Sequence, residues 1–235
     1  MKKIKLFDPV IGISEEREII KILRSGFWAS GSGSGKVQEF EKKFSKYLNS
    51  DQCVAVNSGT AALNLALSLL DIKNKEVILP SLSFVATAHA VTLNGGKPVF
   101  ADVDSETLCI DPKQIMKLIT KKTAAILPVH FAGIACNLNE ISQLCQENNI
   151  KLIEDAAHAA GTKYDGKKIG SHSMAVCFSF HPVKNLGMPT GGLISINHVN
   201  HRKLKKTLNE KRWCGITNRH DFTYDVKQVG WNYYM

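Results

Sequence analysis

Seven short runs rich in Val, Ile and Phe recur along the chain, and amphipathic stretches separate them. The runs cover residues 52–56, 76–80, 98–103, 124–131, 150–156, 174–180 and 193–197. Between them lie helix signals. Residues 60–70 are apolar almost all round, as in a buried helix. Asn137 and Glu140 form an N-cap pair, and Leu138, Ile141, Leu144 and Cys145 make one apolar face. Asp111-Pro112 pairs a cap with proline at the first helical position. Val37, Phe40, Phe44, Tyr47 and Leu48 give another helical stripe. Strands that alternate with helices predict an α/β fold in three layers: a mainly parallel sheet of about seven strands flanked by helices.

The 235 residues are 44% hydrophobic and 22% charged, enough for a sizeable core. No apolar run approaches the roughly 20 residues of a membrane helix. The opening MKKIKLFDPV has basic residues without the apolar stretch of a signal peptide. Six scattered cysteines form no CxxC pair and read as reduced core thiols of a cytoplasmic protein, not as zinc ligands. His198 and His201 lack an acidic third partner nearby, so no metal site is expected. The formal charge of +9 favours anionic partners. Its densest cluster, residues 201–212, reads as a solvated helix face because no nucleic-acid motif accompanies it.

Four stretches bear on chemistry. GSGSGK, residues 31–36, imitates a phosphate loop. The P-loop pattern needs glycine at Ser30 and Ser or Thr at Val37, and no strand precedes it, so it reads as a loop entering a helix. In CVAVNSGTAALNLAL, a strand runs through Ser58, Gly59 and Thr60 into a helix. Such a turn points free N–H groups at an anion, although an ordinary N-cap has the same composition. IKLIEDAAHAAG puts Glu154 and Asp155 at the carboxyl end of a strand, where ligands of open α/β sheets sit. Neighbouring strand residues face opposite ways, so the two acids have different tasks; a structural cap is the alternative. CFSFHPVKNLGMPTGG leads an apolar run to one lysine, Lys184, and a Gly-Gly turn. A neutral lysine at pH 7 costs about 4–5 kcal/mol unless the site is desolvated or cationic.

A phosphate cradle, a strand-end carboxylate and a turn lysine together match pyridoxal phosphate. Asp155 holds the ring nitrogen as a cation in this reading, and Lys184 captures the aldehyde. Phe84 in PSLSFVATAHA is the candidate for stacking on the ring; a packed core residue is the alternative.

NSGTAALNLAL, PSLSFVATAHA, EDAAHAAG, SFHPVKN and GWNYYM together resemble the sugar aminotransferases of the DegT/DnrJ/EryC1/StrS type. The resemblance runs from about residue 5 to the end. It implies the large domain of fold type I, with an N-terminal arm over about residues 1–35. It also implies that Lys184 carries the cofactor and that Asp155 pairs with its pyridinium. By the same likeness His158 would sit near the phenolic oxygen, and Ser58, Gly59, Thr60 and Ser179 would bind the phosphate. Asn232 would reach the phosphate of a neighbouring subunit, so a homodimer is expected. The implied reaction moves an amino group from glutamate to a keto group of a nucleotide-linked sugar. Relatives continue into a smaller C-terminal domain that is absent here, which leaves a partner-dependent, non-catalytic domain as an alternative. Relatives that are dehydratases carry histidine at the lysine position, and Lys184 argues against that reaction. The segment NLGMPTGG departs from the acidic residue and glycines of many relatives.

Overall fold

The computed structural model describes residues 5, 7–29, 33–220 and 222–235. Two helices come first, α1 (Ile13–Ser25) and α2 (Lys36–Leu48). A run of strands and helices follows: β1 (Gln52–Val56), α3 (Gly59–Leu67), β2 (Glu76–Pro80), α4 (Val85–Leu93) and β3 (Lys97–Ala101). Next come α5 (Pro112–Leu118), β4 (Thr123–Ile126), α6 (Leu138–Glu147) and β5 (Lys151–Asp155). A short hairpin, β6 (Lys163–Tyr164) with β7 (Lys167–Lys168), leads to β8 (Ala175–Ser179) and β9 (Gly192–Ile196). The chain then forms α7 (His201–Arg212) and a second hairpin, β10 (Ile216–His220) with β11 (Thr223–Val226).

The main sheet has seven strands in the order β1-β9-β8-β5-β4-β2-β3. Pairings from β3 through β8 are parallel; β9 runs antiparallel to both β8 and β1. The expected three layers follow from side-chain alternation. Cys53, Ile78, Ile126, Leu152 and Phe178 join one core with Phe44, Ile115 and Ile141 of α2, α5 and α6. Val54, Val77, Leu79, Ile153 and Cys177 join the other with α3, Val91 of α4 and Leu208 of α7. Helix α3 is buried almost throughout, as its uniformly apolar sequence predicts. The caps at Asp111 and Asn137 form as read, each side chain accepting a first-turn N–H.

Several boundaries differ from the sequence reading. The run 124–131 is a strand only to Ile126; Val129 makes a single bridge to Asp155, and residues Phe131–Gly133 form a 3-10 turn. Helix α1 and the β10–β11 hairpin were not anticipated. They lack the burial that gives a strong periodic signal: α1 has no buried residue, and β11 is exposed throughout. The glycine loop and the expected arm lie partly outside the described residues, at 1–4, 6 and 30–32. Five cysteines are buried and Cys214 is exposed; all six are free. Among the described residues no helix is long and apolar enough to cross a membrane.

The basic cluster of α7 is not simply a solvated face. Arg212 is 1% exposed, and its Nη1 donates to Glu41 Oε1 and to the Ala55 carbonyl, both at 2.7 Å. Glu41 Oε1 also accepts the Ala55 N–H at 3.0 Å. Ala55 lies on β1, an edge strand. The ion pair therefore satisfies backbone groups that an edge strand would otherwise leave open.

Candidate active site

Beyond the carboxyl ends of β1, β5 and β8 lies a cavity of about 420 Å³, within the roughly 300–1,000 Å³ range of small-molecule sites. Each element delivers one kind of chemistry. At the end of β1 the chain turns through Ser58, whose extended backbone and side-chain acceptance of the Ala61 N–H (3.1 Å) make it the N-cap of α3. Gly59 and Thr60 open the helix, and their N–H groups have no intrahelical carbonyl to bond. Both line the cavity, with Ser58 and Ser179. Gly59 packs closely on Ser179: a Cβ at Gly59 would lie 2.7 Å from Ser179 Cβ. The cap, one of the two alternatives open in the sequence, forms here. Ser58 Oγ caps through the Ala61 N–H, and the N–H groups of Gly59 and Thr60 stand at the cavity wall.

At the end of β5, Asp155 follows Ile153 onto the α3/α4 face, while Glu154 faces the opposite core with Leu152. Asp155 is 4% exposed. Its Oδ2 accepts from Thr87 Oγ1 at 2.9 Å and its Oδ1 from the Ala157 N–H at 3.0 Å. Both donors are neutral, and burial pushes the carboxyl above its ordinary range. No cationic group is among the hydrogen-bond donors of this carboxylate.

Lys184 sits in the loop joining β8 to β9. The loop is pinned by Phe180 N–H to Gly191 O (2.9 Å), Met188 N–H to Phe180 O (2.8 Å) and Lys184 N–H to His181 O (2.8 Å). The amine is half-buried; burial pulls its pKa below the usual lysine range, and Asp155 acts in the opposite direction. His158, also half-buried, is likewise lowered by burial and by Lys184, against Asp155. Its Nδ1 accepts the Ala132 N–H at 3.3 Å, which leaves Nε2 to carry the ring proton.

The cavity thus brings together Ser58, Gly59, Thr60, Phe84, Asp155, His158, Ser179 and Lys184. Phe84 is 73% exposed, so it lies at the mouth and is not a packed core residue. Asn232 is exposed and does not line this cavity; its carbonyl accepts from Asn57 Nδ2 at 3.2 Å. Sequence reasoning missed Thr87, Phe131 and His181, which also line it. Thr87 lay one helical turn past Phe84 in PSLSFVATAHA, and that spacing was the available signal. The residues present fit pyridoxal phosphate: a half-buried amine, a buried carboxylate hydrogen-bonded only to neutral donors, and an open helix N-terminus share one cavity.

The chain is 36% identical over 233 residues to the spore coat polysaccharide biosynthesis protein SpsC of Bacillus subtilis, covering 97% of this chain and 59% of that protein. It superposes on the PLP form of a protein described as a sugar aminotransferase of Streptococcus pneumoniae with a TM-score of 0.93 at 29% identity, covering 100% of this chain and 63% of that one. Helicobacter pylori PseC, an aminotransferase in pseudoaminic acid biosynthesis, gives 0.91 at 26% identity, with 100% and 62% covered. The chain spans about 60% of the length of the curated relatives it matches. The seven-stranded, mostly parallel sheet and its helices are those of fold type I aminotransferases. Residues 9–235 match the model of one family, and the chain belongs to it: the DegT/DnrJ/EryC1/StrS aminotransferases.

Proposed function

We propose that residues 1–235 form the cofactor-binding large domain, with its arm over about residues 1–35, of a cytoplasmic pyridoxal-phosphate-dependent aminotransferase. It passes an amino group from glutamate to a keto group of a nucleotide-linked sugar. The observation that carries this reading is the shared cavity of Lys184, Asp155 and the turn at 58–60. When bound, the cofactor supplies an aldehyde for amine capture and a ring that accepts the electrons released at the substrate's Cα.

The chain's residues divide the remaining work. First-turn N–H groups of Gly59 and Thr60, with the hydroxyls of Ser58 and Ser179, hold the phosphate at the positive end of α3. Asp155 holds a proton on the ring nitrogen, which gives its buried carboxylate a cationic hydrogen-bond partner where its own donors are neutral. His158 presents its Nε2–H as a donor to the phenolic oxygen. Lys184, whose pKa burial lowers and Asp155 raises in part, takes a proton at Nζ and returns it to the neighbouring carbon. Phe84 closes over the ring from the mouth. Asn232, outside its own chain's cavity, serves the phosphate site of a second copy in a homodimer. The +9 formal charge suits a diphosphate-linked substrate.

The test begins with the 235-residue chain and pyridoxal phosphate. Borohydride is expected to fix the cofactor on the peptide containing Lys184 and to fail with Lys184→Ala. Glutamate should then yield 2-oxoglutarate, and keto-sugar nucleotides should accept the amine. A label on another lysine overturns the assignment. Labelling without the glutamate half-reaction favours the partner-dependent, non-catalytic domain, and a half-reaction with another amino donor but not with glutamate overturns the donor.

A further inference from the structure

His130 and Glu154 are both 0% exposed, and His130 Nε2 meets Glu154 Oε2 at 2.8 Å. Neither lines the cavity. Burying two ionisable groups is costly unless their geometry is well satisfied. Glu154 Oε1 has no hydrogen-bond partner among the described residues, so the imidazole is the group that holds this carboxylate. The other ring nitrogen, Nδ1, accepts the Cys136 N–H at 3.1 Å. Nδ1 therefore carries no proton, and the proton on Nε2 is donated to Glu154.

The backbone between these contacts explains what they hold. His130 N–H donates to the Asp155 carbonyl at 3.0 Å, so the loop 129–136, which follows β4, starts beside the end of β5 at the site carboxylate. One imidazole then ties the start of the loop, at His130, to its end, at Cys136. Further bonds secure the same loop. The Cys136 thiol donates to Val129 O at 3.2 Å, the Cys109 thiol to Ile134 O at 3.4 Å, and Thr162 Oγ1 to Gly133 O at 2.8 Å.

At the loop's apex, Ala132 adopts φ 51° and ψ 19°, a left-handed conformation that disfavours a residue with a Cβ. This conformation persists only where the surroundings enforce it. It coincides with donation of the Ala132 N–H to His158 Nδ1 at 3.3 Å. The Phe131 ring meets the His158 ring edge-on, 6.0 Å between centroids and 70° between planes. Gly133 completes the seat, since a Cβ there would lie 3.1 Å from His158 O.

We propose that the buried His130–Glu154 pair is a positioning device: it fixes the loop 129–136 so that Ala132 N–H and Phe131 hold His158 in the Nε2–H tautomer, aimed into the cavity. The use of that donor by a cofactor rests on the function proposed above; the positioning itself does not. Neither residue is catalytic, because neither touches the cavity.

The experiment uses cofactor-free protein, so its failure is separate from a failure of Lys184 labelling. Histidine ring nitrogens are labelled with ¹⁵N, and His158 is assigned by its disappearance in His158→Asn. The wild-type ring is expected to show a single Nε2–H tautomer. Glu154→Leu, which removes the acceptor but keeps volume, should convert His158 to a tautomer mixture. It should also speed amide exchange at Ala132 and Cys136 about tenfold, the effect of losing one buried hydrogen bond. Glu154→Gln keeps an acceptor for His130 Nε2–H and should preserve the wild-type pattern. An unchanged His158 tautomer in folded Glu154→Leu overturns the proposal. If Glu154→Leu does not fold, amide exchange in the wild type decides. Protection of Ala132 and Cys136 well above that of exposed loop amides supports the device, and exchange as fast as theirs overturns it.

Discussion

Thr87 Oγ1 donates to Asp155 Oδ2 at 2.9 Å, and Ser83 Oγ donates in turn to Thr87 Oγ1 at 2.7 Å. The turn entering α4 is thereby coupled to the carboxylate at the end of β5. Thr87→Val keeps the shape and removes the donor, which leaves a buried carboxylate oxygen unpaired at a cost of about 1–3 kcal/mol. The dissociation constant for pyridoxal phosphate, followed by absorbance, is expected to rise about tenfold. Thr87→Ser should restore it. An unchanged constant in Thr87→Val removes Thr87 from the site.

Asp155→Asn should separate stability from function. Free aspartate titrates near 3.9, and burial raises Asp155 above that. Below about pH 3.9 both states are protonated and the group has no effect. As pH rises from there through the raised pKa, the unfolded chain releases its proton while the folded chain resists, so stability is lost. Asparagine removes this loss, and its amide can donate to Thr87 Oγ1. Cofactor-free Asp155→Asn should therefore melt higher than wild type at pH 7 and equally near pH 3.5. The glutamate half-reaction should fall by about 10²–10³, the usual effect of removing one electrostatic partner. A melting temperature below wild type at pH 7 contradicts the raised pKa.

Gly192 begins β9 against the turn at 58–60. A Cβ there would lie 2.3 Å from Ser58 O and 2.7 Å from Gly59 N, both backbone atoms that cannot swing aside. Gly192→Ala is expected to displace the turn and cost about 1–3 kcal/mol, as overpacking does. Calorimetry should show a lower melting temperature, and phosphate-dependent binding should weaken more than binding of pyridoxal, which lacks the phosphate. Equal weakening of both ligands counts against a phosphate role for this turn.

Glu41→Ala tests the edge-strand ion pair. It strands the Arg212 guanidinium and the Ala55 N–H, both buried. Breaking such a pair from one side costs about 3–5 kcal/mol. Urea denaturation should show a loss of that size, and Glu41→Gln should lose less because it keeps an acceptor. A loss below about 1 kcal/mol, the range of exposed pairs, would sink this reading of the pair.

The alternation of short apolar runs with helical stripes determined the layered α/β fold. A period of two selects which strand residues enter which core, and uniform apolarity marks α3 for burial. The turn at 58–60, Asp155 and Lys184 were legible as candidates because a capped helix start, a strand-end acid and a lone lysine after an apolar run each stand out locally, and the structure places all three around one cavity. Tertiary structure decided the rest. Thr87 became a site residue only when the fold brought α4's Thr87 to Asp155 at the end of β5. Arg212 left its basic cluster only because β1 is an edge that needs donors and acceptors. His130 gained a task only because the loop after β4 closes over Glu154. Such roles depend on partners far apart in the chain. Local pattern records which side chains want burial or a cap; it carries no record of which distant group will meet them.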